Sequence, residues 1–206
     1  MDFGQSWQDT VATAVAEAEE GTSLEVRVVV VEDSGHYRDV YIMAGSSTFL
    51  LVLLVVLAIP QVVNPWWLPA IVAVPFALGA LLPFKVQPVF RLLTSSGRRD
   101  AQVRQGARAA FVKEGIHTTH ERSGLLVYAS RRERSLCLLP DIGLDTVAPR
   151  GTWQQLESVG SDHALPRRVL TVVEKAGELG RRLLPLDASG MTVNELDNEV
   201  VLGSDA

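Results

Sequence analysis

The chain has 206 residues, 47% hydrophobic and 21% charged, with a mean hydropathy of +0.17, a net charge of −5 and a pI near 5.4. That apolar content excludes a disordered chain, and a single cysteine, Cys137, excludes an internal disulfide scaffold. The acidic balance argues against a general nucleic-acid binder, which needs a basic face to neutralise phosphates.

Residues 5 to 20 place Trp7, Val11, Ala14, Val15 and Ala18 at helical spacing, and Gly21 supplies a stop. Leu24 to Val31 then alternates before becoming apolar on both sides, which predicts a strand buried on two faces. The 44 residues from Tyr41 to Phe84 carry no charge at all. That length suits two membrane-spanning helices, because a bilayer core of roughly 30 Å takes about 20 apolar residues per helix. The expected spans are Ile42 to Ile59 and Trp67 to Phe84, joined by the polar turn Gln61 to Pro65. Tyr41, Trp66 and Trp67 stand at the edges, where amphipathic rings settle among headgroups. Pro69, Pro75 and Pro83 make the second helix less regular. The alternative, a hairpin enclosed in a soluble core, requires a domain of this size to cover the whole uncharged window.

The twenty residues before Tyr41 contain two Lys or Arg, the twenty after Phe84 contain five, and the turn contains none. Positive flanks stay in the cytoplasm, so both termini are expected there, with the turn around Asn64 on the far side of the inner membrane. Arg98, Arg99, Arg104 and Arg108 follow the second span, where they either touch anionic headgroups or only fix topology. Ala44, Gly45, Ser46 and Ser47 in the first helix, and Ala77, Gly79 and Ala80 in the second, permit close packing within the hairpin or with a partner.

After the hairpin, Asp100 to Gly115 reads as a helix with Val103, Ala107, Ala110 and Phe111 on one stripe. Gly124 to Ser130 and Ser135 to Leu139 read as strands joined by the short turn Arg131 to Arg134, hence as an antiparallel pair. Pro166 to Leu184 is a further helix, and a shorter one surrounds Trp153 and Leu156. This order predicts an α/β layer structure with three strands, interrupted by the hairpin. Residues 1–40 and 85–185 must then meet to build one domain around 41–84, while 186–206 read as a solvated acidic tail.

The stretches Ala14 to Val31, Thr119 to Arg134 and Asp141-Ile-Gly143 resemble the TPM-domain family, named after a thylakoid lumen protein, a photosystem II repair protein and a nematode receptor modulator. Val193 to Asp197 resembles the ending of its bacterial membrane-protein branch. The resemblance covers both soluble segments and implies an α/β/α sandwich with a small mixed sheet. It implies weak acid phosphatase activity or calcium binding in some members, and accessory roles at membrane complexes in others. Leu24, Ser123 and His120 depart from the family's usual residues.

With the first two strands parallel and the third antiparallel, Ser23, Glu25, Ser123, Gly124, Asp141 and Gly143 share one end of the sheet. Glu25 and Asp141, with Asp145 four residues on, are therefore the candidate ligands for calcium or magnesium, which take hard oxygen donors. The alternative leaves Glu25 a solvated edge residue paired with Arg27 or Arg134, and Asp141-Ile-Gly a plain turn. Arg131, Arg132 and Arg134 are possible phosphate donors but belong to the opposite end. Nucleotide-binding and nucleophile-elbow motifs are absent. His117, His120, Glu114 and Glu121 lack zinc-ligand spacing and read as a polar loop, and Cys137 reads as a core residue. The expectation is an integral membrane protein whose TPM-like domain serves, without catalysis, as an accessory module for a membrane complex, its partners being membrane lipid and a membrane protein. The alternative is a weak divalent-metal-dependent phosphomonoesterase.

Overall fold

The computed structural model describes residues 3–58, 65–119, 121–186 and 195–203. Along the chain come α1 (Gln5–Glu19), β1 (Glu25–Val31), α2 (Arg38–Ala58), α3 (Leu68–Lys85), α4 (Gln87–Leu93), α5 (Ser96–Lys113), β2 (Gly124–Ser130), β3 (Ser135–Pro140), α6 (Ile142–Val147), α7 (Thr152–Ser158), α8 (Leu165–Leu183) and β4 (Val201–Gly203). Short 3-10 turns occupy Pro65–Trp67 and Ile116–Thr118. The turn expected around Asn64, the first half of the motif Val193 to Asp197 and His120 lie outside the described residues.

Two compact units result, one made of Met1–Gly35 with Asp100–Ala206, the other of His36–Arg99. The first unit is a mixed α/β domain. Its sheet has the order β3-β2-β1-β4. β1 and β2 run parallel with Glu25 opposite Gly124 and Val31 opposite Ser130, and β3 returns antiparallel with Cys137 opposite Tyr128. Strand alternation then sends alternate residues to opposite faces. Val26, Val28, Val30, Leu125, Val127 and Ala129 meet the buried stripe Trp7, Val11, Val15 and Ala18 of α1 and Val169, Val172, Val173 and Ala176 of α8. Val29, Val31, Leu126, Tyr128 and Cys137 meet Val103, Ala107 and Ala110 of α5. Helices therefore lie on both faces, and β1 from Val28 to Val31 and β2 from Leu125 to Ala129 are apolar because neither face sees water there.

Close approach of α1 and α8 depends on Gly177, where an added Cβ lies 2.5 Å from Ala18 Cα. Trp7 Nε1 ties the start of α1 to the carbonyl of Pro166 at 3.0 Å, and Thr22 Oγ1 donates to Leu184 O at 2.8 Å. Pro140 closes β3 at the sheet's edge, where its missing N–H removes no ladder bond.

Two sequence expectations need correction. The sheet has four strands, not three, and among the described residues of the expected tail Leu196 and Val201–Gly203 belong to the domain. Val201–Gly203 pairs parallel with Val29–Val31, and Leu196 is buried in the core under α5. The physical reason is the exposed edge of β1, which a short Val-Val-Leu run covers despite its acidic neighbours.

In the second unit α2 and α3 pack against each other as an antiparallel pair. Gly45 admits the Phe76 carbonyl, 2.8 Å from where a Cβ would stand, and Gly79 admits Thr48 and the Ala44 carbonyl. α2 is 21 residues long with a mean hydropathy of 2.4 over its most apolar window, long and apolar enough to cross a membrane, and only 17% of that window is buried. α3 carries Pro75 and Pro83 in its interior and breaks at Val86, where α4 departs at 99°. α3 and α4 reach the same length and apolarity only as a bent pair. Phe90 of α4 packs edge-on against Tyr37 at 4.8 Å, with Val40 completing a small core.

Candidate functional site

The sequence directs attention to the sheet end where β1 and β2 begin and β3 finishes. Glu25 opposes Gly124 across the β1–β2 ladder, and the Asp141 N–H donates to Gly124 O at 2.8 Å. The three predicted acids thus share an end of the sheet, with β2 between Glu25 and the other two. Two strand spacings put the backbones of Glu25 and Asp141 about 9–10 Å apart. Gly124 leaves no gap there, because a Cβ on it meets Ile116 Cγ2 at 2.5 Å and Ile116 O at 2.8 Å. The 3-10 turn of Ile116 is seated on the strand between the carboxylates.

Each acid has other work. Glu25 is buried, and its Oε2 accepts the backbone N–H groups of Leu196 at 3.2 Å and Glu195 at 3.3 Å. Burial raises its carboxyl pKa above the usual range, and those two N–H bonds offset part of the effect. Asp141 is the N-cap of α6. Its Oδ1 accepts from Ile142 N at 2.8 Å, and Oδ2 lies 2.9 Å from Arg122 Nε. Gly143 follows because a Cβ there would collide with the carbonyls of Glu121 and Arg122. Asp141-Ile-Gly is accordingly a helix start that locks the preceding loop. Asp145 is exposed on α6, with its N–H bonded to Asp141 O. Among the described residues no three His, Cys, Asp or Glu side chains are grouped to hold a metal ion.

Arg27, offered by the sequence as a partner for Glu25, instead pairs with Glu114 at 3.0 Å and donates to the carbonyls of Asp197 and Glu199. Glu25 and Arg27 together hold the segment that leads into β4. Glu19 belongs to the same region: it accepts the Val26 N–H at 2.8 Å and interacts with Asn198, and burial pushes its carboxyl up to about 7. The signal that could have found this arrangement is weak, a glutamate and an arginine at i, i+2 on an otherwise apolar strand.

The remaining candidates also have structural roles. Glu114 is engaged by Arg27, and the His117 ring lies 6.5 Å from that of Phe111, tilted by 32°. Arg131 pairs with Glu32 at 2.8 Å at the far end of the sheet, as Ser130 opposite Ser135 requires. Cys137 is buried in β3, and burial pushes its thiol up to about 11, far from the thiolate needed for reactivity. A feature the sequence does not disclose is a cavity of about 330 Å³ between α5 and the β1–β4 edge, lined by Val29, Val31, Ala109, Ala110, Val201 and Gly203, with Lys113 and Glu114 also in its wall. Tyr128 and Gly106 complete it. The buried Tyr128 phenol interacts with the Ser34 hydroxyl outside hydrogen-bond geometry.

Fold and geometry together define the first unit as a two-faced mixed α/β domain whose sequence is interrupted by an apolar helical unit. No family model and no curated protein matches the chain. Among solved structures it is similar to the NMR structure of the BA42 protein from the psychrophilic bacterium Bizionia argentinensis, with a TM-score of 0.58 and 14% identity over 98% of this chain and 97% of that one. At that identity the likeness is one of fold.

Proposed function

We propose that the chain is a multi-pass protein of the inner membrane, anchored by the α2–α3 hairpin, with both termini in the cytoplasm and a TPM-like α/β/α domain that serves a membrane complex without catalysis. The observation that carries the anchor is the surface of the second unit. Leu50, Leu51, Leu54, Leu57, Val72, Val74, Leu78 and Leu81 all face outward, while Gly45 and Gly79 lie in the helix–helix seam. Small residues inside and aliphatic residues outside is the arrangement lipid favours. A helix of 21 residues rises about 31 Å, the depth of a hydrocarbon core. An apolar helix in a soluble core is mostly buried, unlike α2.

Support for an accessory role over a metal-dependent phosphomonoesterase comes from the carboxylates. Glu25 holds the C-terminal segment and Asp141 caps α6, so neither is free to collect a cation without dismantling local structure. Two measurements test the proposal. Membranes containing the full chain should retain it through alkaline carbonate washing, and release into the supernatant overturns the anchor. Purified protein with millimolar calcium or magnesium should neither change its melting temperature nor hydrolyse a generic phosphomonoester. An activity or thermal shift abolished by Asp141→Asn would reinstate the hydrolase.

A further inference from the structure

The charges of the second unit are confined to one end of its hairpin. Residues 36–99 contain five Lys or Arg (Arg38, Lys85, Arg91, Arg98 and Arg99) and one carboxylate, Asp39. The antiparallel pairing of Gly45 with Phe76, and of Gly79 with Ala44 and Thr48, brings the start of α2 level with the end of α3. Arg38 and Lys85 therefore stand at the same height, and α4 with Arg91 begins immediately beyond.

The structure sorts these cations. Arg98 spends its guanidinium on Asp39, Nη1 to Oδ2 at 2.6 Å and Nη2 to Oδ1 at 2.8 Å. Arg99 donates to the carbonyls of Thr94 and Arg91, closing the end of α4. The one acid is thereby neutralised, and Arg38, Lys85 and Arg91 are exposed with no ion-pair partner among the described residues. Two apolar features accompany them. α4 leaves α3 at 99°, and Leu92 on it is 85% exposed although Phe90 on the same helix is fully buried against Tyr37. A helix turned at 99° from the apolar α3, clamped by an aromatic pair and bearing an exposed leucine beside an arginine, has the form of an interfacial segment.

We infer that Arg38, Lys85, Arg91 and α4 form a collar that binds anionic phospholipid headgroups on the cytoplasmic leaflet. This rests on the membrane reading above. Charge complementarity selects the occupant: three cations without an ion-pair partner among the described residues, Lys85 resting over the Phe84 ring at 5.3 Å, in a unit whose one carboxylate is taken by Arg98, at the end of an uncharged hairpin, beside a side chain suited to the acyl boundary. Arg98 and Arg99, named by their position in the sequence, are already committed and contribute through geometry.

The experiment is a titration of the detergent-solubilised full chain with phosphatidylglycerol or phosphatidylcholine, with bound lipid counted by native mass spectrometry. Phosphatidylglycerol should bind in preference, and Arg38→Gln/Lys85→Gln/Arg91→Gln should weaken it roughly a hundred-fold, the attraction three surface cations have for an anionic headgroup. Arg38→Lys/Arg91→Lys, which keeps the charge, should retain the preference, and so should Arg104→Gln/Arg108→Gln. Inorganic phosphate at millimolar concentration should not compete, since it lacks the acyl chains that meet Leu92. Equal binding of the two lipids, an undiminished preference in the triple variant, or displacement by phosphate overturns the collar while leaving carbonate resistance intact. Loss of carbonate resistance removes the anchor and the collar together.

Discussion

The two units use the same aliphatic residues against opposite surroundings. In the α/β unit Leu125 of β2 is fully buried between the sheet and the α1–α8 layer, whereas in the hairpin unit Leu54 of α2 is 56% exposed. The first unit obtains its order from apolar area removed from water. The second has too little interior to do so, and its helices touch through glycine, alanine and threonine instead. Apolar content alone therefore does not distinguish a core from an outward apolar surface; both units have a glycine seam between helices, and what distinguishes them is whether the large aliphatic residues point inward or outward.

The sharpest break of this comparison is a pair of truncations. Leu125→Ala should cost the α/β unit about 2–5 kcal/mol by opening a cavity in a packed core, while Leu54→Ala should change its thermal unfolding in detergent by less than about 0.5 kcal/mol. Equal losses from both would mean that the outward face of α2 is part of a folded interior. Next in size are the two glycine seams. Gly177→Val should destabilise the α/β unit by about 1–3 kcal/mol, because its Cβ would displace Ala18. Gly79→Val should instead loosen the hairpin and raise its susceptibility to limited proteolysis, with the unfolding of the α/β unit unchanged.

The smallest effect concerns pH. The carboxyl of Glu19 is raised from 4.5 to about 7 in the folded chain by burial. A raised carboxyl favours the protonated form in the native state, so no penalty exists below pH 4.5, and stability falls as pH rises from there to about 7. The full shift corresponds to about 3 kcal/mol, which partial exposure reduces to about 1–2 kcal/mol. Glu19→Gln keeps an acceptor for the Val26 N–H and should flatten this slope, raising the melting temperature at pH 8 and leaving it nearly unchanged at pH 4.5. A slope that survives the substitution assigns the effect to another group, with Glu25 first in line.

Much of the molecule was legible along the chain. The 3.6-residue spacing of Trp7, Val11, Val15 and Ala18, and of Val169, Val172, Val173 and Ala176, marks helices with one buried face. The apolar run Val28 to Val31 in β1 announces a strand covered on both sides, and the four residues between β2 and β3 leave room only for a hairpin. These readings succeed because the information is local: a periodic pattern reports which side of an element is buried without saying what buries it.

Tertiary structure decided the rest. β4 is three residues long and pairs with a strand some 170 positions earlier, so no local pattern separates it from an acidic tail. The same distance hides the C-terminal partners of Glu25 and Arg27; the shared sheet end offered Glu25 as a metal ligand, and the alternative paired it with Arg27 or Arg134. Ile116 over Gly124, the α4 bend at Val86, and the pairing that leaves Arg38, Lys85 and Arg91 without acids are likewise properties of the packed chain. The sequence by itself determined where faces would be buried and where charge would be excluded. Which groups meet across those faces was determined only when distant segments competed for the same edge, cap and cation, since a side chain's chemistry depends on neighbours that the chain brings from far along its length.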